Sequence, residues 1–242
     1  MRSALLGTFL FFGLNCLAGL DRFTYQTGAG ISFYQGDIGE AFPVTESIRY
    51  NVKGGVNFRL YKFLGIHYHI SYTQIHHSDL YSDQADRQDR GIFFENKILH
   101  SGIHLSLNQF ISPYTKIIHY IYLGLDAAAM QVTTEKRRGT RVLAPEVTFS
   151  PFQILGPIGA GLGYRVSKRI GIVSEFTYYL SNTDYLDGTS YNGTPANTDS
   201  FVNYNLMVTI KLGKLKRARR PSFNSRRYRF NLFEIPAVYD WN

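Results

Sequence analysis

"PIGAGLGYRVSKRIGIVSEFTYYL", residues Pro157–Leu180, alternates between two kinds of side chain with one break at "SKR". Before the break Ile158, Ala160, Leu162, Tyr164 and Val166 stand against Gly159, Gly161, Gly163 and Arg165. After it Ile170, Ile172, Phe176, Tyr178 and Leu180 stand against Gly171, Val173, Glu175, Thr177 and Tyr179. Successive side chains of a strand point to opposite faces, so a period of two means strands, and the short polar break joins them as a hairpin. One face is bulky and apolar. The other carries Arg165 and Glu175, which are too costly to bury in the dry core of a soluble sandwich or lipocalin-like barrel. Turning the apolar face to lipid and the charges to a polar lumen removes the conflict.

The same alternation recurs along the chain. Phe23, Tyr25, Ala29, Ile31 and Phe33 form the apolar face of a first strand, Ile48, Tyr50, Val52, Val56, Phe58 and Leu60 of a second, and Leu64, Ile66, Tyr68, Ile70 and Tyr72 of a third. A fourth lies within Ile92–Leu107, its phase ambiguous and open to a shift at a bulge. "IIHYIYLGLDAAAMQV" supplies a long fifth with Ile117, Ile121, Leu123 and Leu125 on one face, and Val202, Tyr204, Leu206, Val208, Ile210 and Leu212 supply the last. With the opening hairpin this makes eight strands, of roughly 9–11 residues if each crosses a bilayer at a tilt. The connections after strands two, four and six are short; those at 34–47, 74–90, 133–156 and 181–200 are long and polar. The expected fold is all-β, an eight-stranded antiparallel outer-membrane barrel, with Arg49, Lys53, Arg59, Arg165, Glu175 and Lys211 facing a lumen that side chains fill.

Three regions follow. Residues 1–18 read as a signal peptide: Arg2, an apolar run from Ala4 to Leu14 too short to span a bilayer, and small residues at Cys16, Ala18 and Gly19. Cys16 is the sole cysteine of the 242 residues, which rules out an intramolecular disulfide, and Asn15 before it fits a lipidation site poorly. Residues 19–213 are the barrel. Residues 214–242 form a basic tail whose eight Lys/Arg, set against Glu234 and Asp240, supply +6 of the chain's net +8. An even number of strands after an exported N-terminus puts this tail in the periplasm, where nucleic acid is not a partner. It is either a solvated tail or a docking segment, with Arg217, Arg219, Arg220, Arg226, Arg227 and Arg229 for an acidic partner and Phe230, Leu232, Phe233, Ile235 and Trp241 as anchors.

Candidate chemistry is sparse. "GAGLG" (Gly159–Gly163) opens no helix, so it reads as room for neighbours in a narrow lumen rather than a nucleotide loop. His67 and His69 share an inward face and His76 and His77 follow, but no acidic or cysteine third ligand stands at recognisable spacing, so no metal is assigned. Ser78, His76 and Asp79, or Asp184 and Asp187, offer the residue types of a hydrolytic site without the spacing of a triad. The two aspartates are also three apart, where a calcium loop needs acids two apart. No catalytic residue, cofactor or small-molecule substrate is assigned; a small barrel enzyme stays as an alternative.

"PIGAGLGYRVSKRIGIVSEFTYYLSNTDYLDGTSY" (Pro157–Tyr191) resembles the C-terminal half of the PorG family, outer-membrane barrels of the type IX secretion system of Bacteroidetes. The Pro-x-Gly-x-Gly-x-Gly-Tyr strand, Glu175 and the run Thr183, Asp184, Tyr185, Leu186 and Asp187 carry the match. So do "FYQGDIG", with Gly36 and Asp37, the segment Arg49–Ile75, and "SPYTKIIHYIYLGL". Where family members follow Leu-Asp with a second acid, Gly188 follows here. The resemblance implies a non-enzymatic part of the secretion machinery that contacts outer-membrane lipids and the periplasmic PorK–PorN ring. An OmpA- or OmpX-like structural or surface-binding barrel is the other class this pattern admits.

Overall fold

The period-two segments pair edge to edge until the first meets the last. The computed structural model describes residues 22–35, 45–61, 63–81, 85–108, 116–138, 141–142, 146–181, 186 and 199–212. The strands are β1 (Phe23–Gln35), β2 (Arg49–Arg59), β3 (Leu64–Ser78), β4 (Ile92–Asn108), β5 (Ile117–Arg138), β6 (Arg141–Val142), β7 (Glu146–Arg165), β8 (Ile170–Ser181) and β9 (Ser200–Lys211). β6 is a two-residue extension paired with the end of β5. The other eight strands run antiparallel in the order β4-β3-β2-β1-β9-β8-β7-β5, and the β4–β5 pairing completes the ring. Closure leaves no strand edge, which is what a sheet in lipid requires. The signal peptide, the tail with its arginines and aromatics, Gly36, Asp37, Thr183, Asp184, Tyr185 and Asp187 lie outside the described residues.

The apolar face points outward, as its chemistry demands. Tyr68, Ile70, Leu99, Ile103, Leu105, Leu123, Leu125, Ile158, Leu162 and Leu206 are all exposed, about half or more of each side chain. A soluble protein would not leave an unbroken belt of this kind to water. Aromatic rings border it: Phe23 and Phe58 pack at 4.8 Å beside Tyr61 and Phe63 at one end, and Tyr50 and Tyr72 pair at 6.1 Å towards the other. No helix among the described residues is long and apolar enough to cross a membrane; here the strands cross.

Three expectations need correcting. The length of 9–11 residues fits β2, with 11, but not the longest strands: β5 has 22 and β7 has 20, so most of the connection expected at 133–156 is paired strand. "TTEKRR" offers no apolar side chain, and Val147 and Phe149, exposed on the outer face of "EVTFS", are too few before Pro151 to read as a strand in the sequence. The second correction concerns the bulge, which lies not in β4 but between β5 and β7, where the register shifts between Ala128 and Met130. Pro151, in the opposing segment, has no N–H to give the ladder. β4 keeps one phase throughout, with Ile92, Phe94, Asn96, Ile98, His100, His104 and Ser106 inward. Its pattern looked ambiguous because apolar side chains turn inward near the loops while Glu95 and Lys97 turn outward.

That is the third correction: the lumen is not polar along its whole length. At the end where the long connections lie it is plugged by Tyr34, Ile75, Ile92, Phe94, Ile98, Met130, Leu155, Tyr179, Leu186 and Phe201. Leu186, from the Thr-Asp-Tyr-Leu-Asp run, is fully buried there. Its N–H donates to Asp199 Oδ2 at 3.2 Å and its carbonyl accepts from Asn96 Nδ2 at 2.8 Å, while Tyr34 donates its hydroxyl to Asp199 Oδ1 at 2.5 Å. The run is therefore more than a water-loving turn: its leucine stoppers the barrel.

Candidate functional site

Below the plug, two buried polar clusters fill the lumen, and the registers explain both. In the first, Tyr120 of β5 sits opposite Gly161 of β7, and Gly161 sits opposite Glu175 of β8. Because the middle residue has no side chain, Tyr120 reaches across it and donates its hydroxyl to Glu175 Oε2 at 2.5 Å. One step along, Tyr122, Gly159 and Thr177 repeat the device, with the two hydroxyls 2.5 Å apart. A Cβ on Gly161 would stand 2.3 Å from Tyr120 Cζ, and one on Gly159 2.4 Å from Tyr122 Cζ. This is what "GAGLG" is for. Gly161→Val is expected to push Tyr120 off Glu175 and cost about 1–3 kcal/mol, as overpacking does; an unchanged urea midpoint for detergent-refolded protein would refute that role.

Lys53 of β2 closes the first cluster from across the lumen. Its Nζ lies 2.7 Å from Glu175 Oε1, and Tyr122 donates to the same oxygen at 3.1 Å. Lys53 and Glu175 are 6% and 1% exposed, so this ion pair is satisfied inside protein rather than by water. Of the six charges expected to line the lumen, only these two meet. Arg49 turns to the backbone oxygens of Glu46 and Ile48 near the long connections. Arg59, Arg165 and Lys211 gather at the opposite mouth with Lys168 and Arg169, around a cavity of about 110 Å³. Alternation tells which face a charge is on, not how deep it lies along the axis.

The second cluster went unseen in the sequence. His69 of β3 sits opposite Gly102 of β4, and Gly102 opposite Asp126 of β5. His100 and His104 flank Gly102 on the same inward face of β4. Three imidazoles therefore surround one carboxylate. His100 Nδ1 lies 2.8 Å from Asp126 Oδ2, His104 Nε2 2.9 Å from Oδ1, and His69 Nε2 3.1 Å from Oδ2. All four residues are at most 2% exposed. The inward parity of His69, His100, His104 and Asp126 was available in principle, but it needed the phase of β4 and two registers at once. His67, grouped with His69 in the sequence, instead bonds Asn57 and packs against Tyr120.

Of the hydrolytic candidates, Asp184 and Asp187 lie outside the described residues, and the other three each bond a backbone group. Asp79 Oδ2 accepts from the Ile92 N–H at 3.1 Å, Ser78 Oγ accepts from the Leu80 N–H at 3.2 Å, and His76 Nδ1 pairs with the Phe94 carbonyl at 2.9 Å.

No family model and no curated protein matches the sequence. Among solved structures the chain is similar to a major outer membrane protein from Thermus thermophilus, at 9% identity and TM-score 0.50, over 78% of this chain and 98% of that one. The fold is that of an outer-membrane barrel. Neisserial surface protein A, at 13% identity and TM-score 0.47 over 78% and 96%, is similar too. So is the N-terminal β-barrel domain of OprF from Pseudomonas aeruginosa, at 9% and 0.41 over 78% and 98%.

Proposed function

We propose that the chain is a non-enzymatic outer-membrane barrel of the type IX secretion machinery, PorG-like, that holds or contacts a periplasmic PorK–PorN-type ring. The observation that supports this best is where the cations sit. Arg59, Arg165, Lys168, Arg169 and Lys211 converge on the mouth that carries the short turns. From that mouth β9 ends at Lys211, and the segment 214–242 with its arginines and aromatics continues the chain. The basic mouth, at which the sequence runs on into a basic and aromatic segment, is a surface suited to an acidic partner. With the short turns periplasmic and the long connections outside, that surface faces the ring, and the apolar belt faces outer-membrane lipids.

Deleting 214–242 is expected to leave the barrel inserted and folded while copurification with ring proteins falls severalfold. Crosslinks from Lys168 and the tail in native membranes should reach those proteins. Unchanged pull-down would sink the docking role. Loss of the whole gene should stop secretion with the outer membrane intact. A structural barrel of the OmpA or OmpX type is the second reading, favoured by a lumen plugged at one end and spanned by an ion pair in the middle; secretion that survives the deletion would select it.

A further inference from the structure

We infer that His69, His104 and Asp126 form a transition-metal site inside the barrel, of the class that takes Zn²⁺ and its neighbours in size and softness. The donor atoms of these three residues all lie within 4.8 Å of one another. Two imidazoles and a carboxylate are the ligand types such ions select, and tetrahedral coordination at about 2.0–2.1 Å places ligand atoms roughly 3.3 Å apart. Asp126 stands 2.9 Å from His104 Nε2 through Oδ1 and 3.1 Å from His69 Nε2 through Oδ2, so each of its oxygens lies near that spacing from one imidazole.

Hydrogen bonding alone does not account for the cluster. His69 Nε2 approaches Asp126 without hydrogen-bond geometry, and neither of its ring nitrogens has a hydrogen-bond partner although the residue is 2% exposed. A buried ring nitrogen left beside a carboxylate without a hydrogen bond is costly unless something between them satisfies both. Charge points the same way. The groups that approach Asp126 are imidazoles, and the buried cation Lys53 is committed to Glu175. A divalent ion would supply the countercharge. A small cavity of about 10 Å³, of the order of one water, lies on the side of His69 and His104 away from Asp126, where Lys53 and Gln26 also line it.

The backbone is built around this meeting. A Cβ on Gly102 would stand 2.1 Å from Asp126 Oδ1, so any other residue there would close the gap between His69 and Asp126. His100 acts from outside the ligand set. Its Nδ1 holds Asp126 Oδ2, and its Nε2 lies 3.3 Å from Thr73 Oγ1, which in turn accepts from Asn203 Nδ2 at 3.0 Å. A hydrogen-bonded ligand partner of this kind orients the carboxylate for the ion.

The test uses the protein purified from membranes in detergent, stripped with chelator and titrated with Zn²⁺ alone. One ion per chain is expected by mass-spectrometric metal analysis. His69→Gln and Asp126→Asn should each abolish stoichiometric binding, His100→Gln should weaken it about 10–100-fold, and the His76→Gln/His77→Gln double variant should keep it. Co²⁺ in place of Zn²⁺ should give the strong visible absorption of a tetrahedral site; read on the unaltered protein, this does not depend on any variant folding. Binding well below one ion per chain, binding retained by both His69→Gln and Asp126→Asn, or a weak octahedral cobalt spectrum would each overturn the site.

Discussion

Glu175→Ala should cost about 3–5 kcal/mol of barrel stability, the loss expected when one member of a buried ion pair is removed. The carboxylate takes Lys53 Nζ at 2.7 Å, the Tyr120 hydroxyl at 2.5 Å and the Tyr122 hydroxyl at 3.1 Å. Without it a cation and two phenols are left buried with no common acceptor. Replacing both charges, as in Lys53→Met with Glu175→Met, should recover much of the loss, because the uncompensated cation goes with its partner. Recovery stays incomplete, since the Tyr120 hydroxyl still lacks its acceptor at about 1–3 kcal/mol, while Tyr122 keeps Thr177. Glu95→Ala is the control: that carboxylate lies 3.7 Å from Lys97, both side chains well exposed, and pairs of that kind contribute about 0–1 kcal/mol. Denaturant unfolding in detergent, followed by the heat-modifiable gel shift, reads all four proteins. A Glu175→Ala barrel as stable as Glu95→Ala would show that the pair does not hold the lumen together.

Leu123→Arg should cost about 2–4 kcal/mol in lipid, the penalty for arginine at mid-membrane on the outside of a barrel. Leu123 is 63% exposed and sits midway along the apolar stretch of β5, flanked by Leu105 and Ile158 across the neighbouring strands. The sign of the effect is the point. On a water-facing surface the same exchange would fall within about ±0.5 kcal/mol. Ile117→Arg, at the short-turn end of β5, should cost only about 0–1 kcal/mol, since the penalty falls towards the interface. Folding into vesicles across a urea series gives both values, and equal, negligible penalties at the two depths would place the belt outside the bilayer.

What was legible in the sequence, and what was not, divides along the periodicity. Alternation at Pro157–Leu180 was enough for a hairpin, and its recurrence, with charges opposite bulky apolar residues, was enough for a membrane barrel of eight strands. It also showed that "GAGLG" makes room rather than binds a nucleotide, though not for which side chains. Where the apolar face runs short or changes sides, the signal fails. "TTEKRR" and the two apolar residues of "EVTFS" hide the ends of β5 and β7, and β4 turns apolar side chains inward near the loops.

Fold class and the inward-facing positions of most strands are written in the chain itself, because lipid and lumen impose opposite chemistry on alternate residues. Which inward residues meet is a matter for the closed ring. Register sets that: one step of pairing places Gly102 between His69 and Asp126, and Gly161 between Tyr120 and Glu175. Such rows join residues from three neighbouring strands, more than fifty positions from first to last, so no local spacing records them. Depth along the axis is likewise a property of the assembled barrel, and it sends Lys53 to Glu175 while Arg59, Arg165 and Lys211 gather at the mouth.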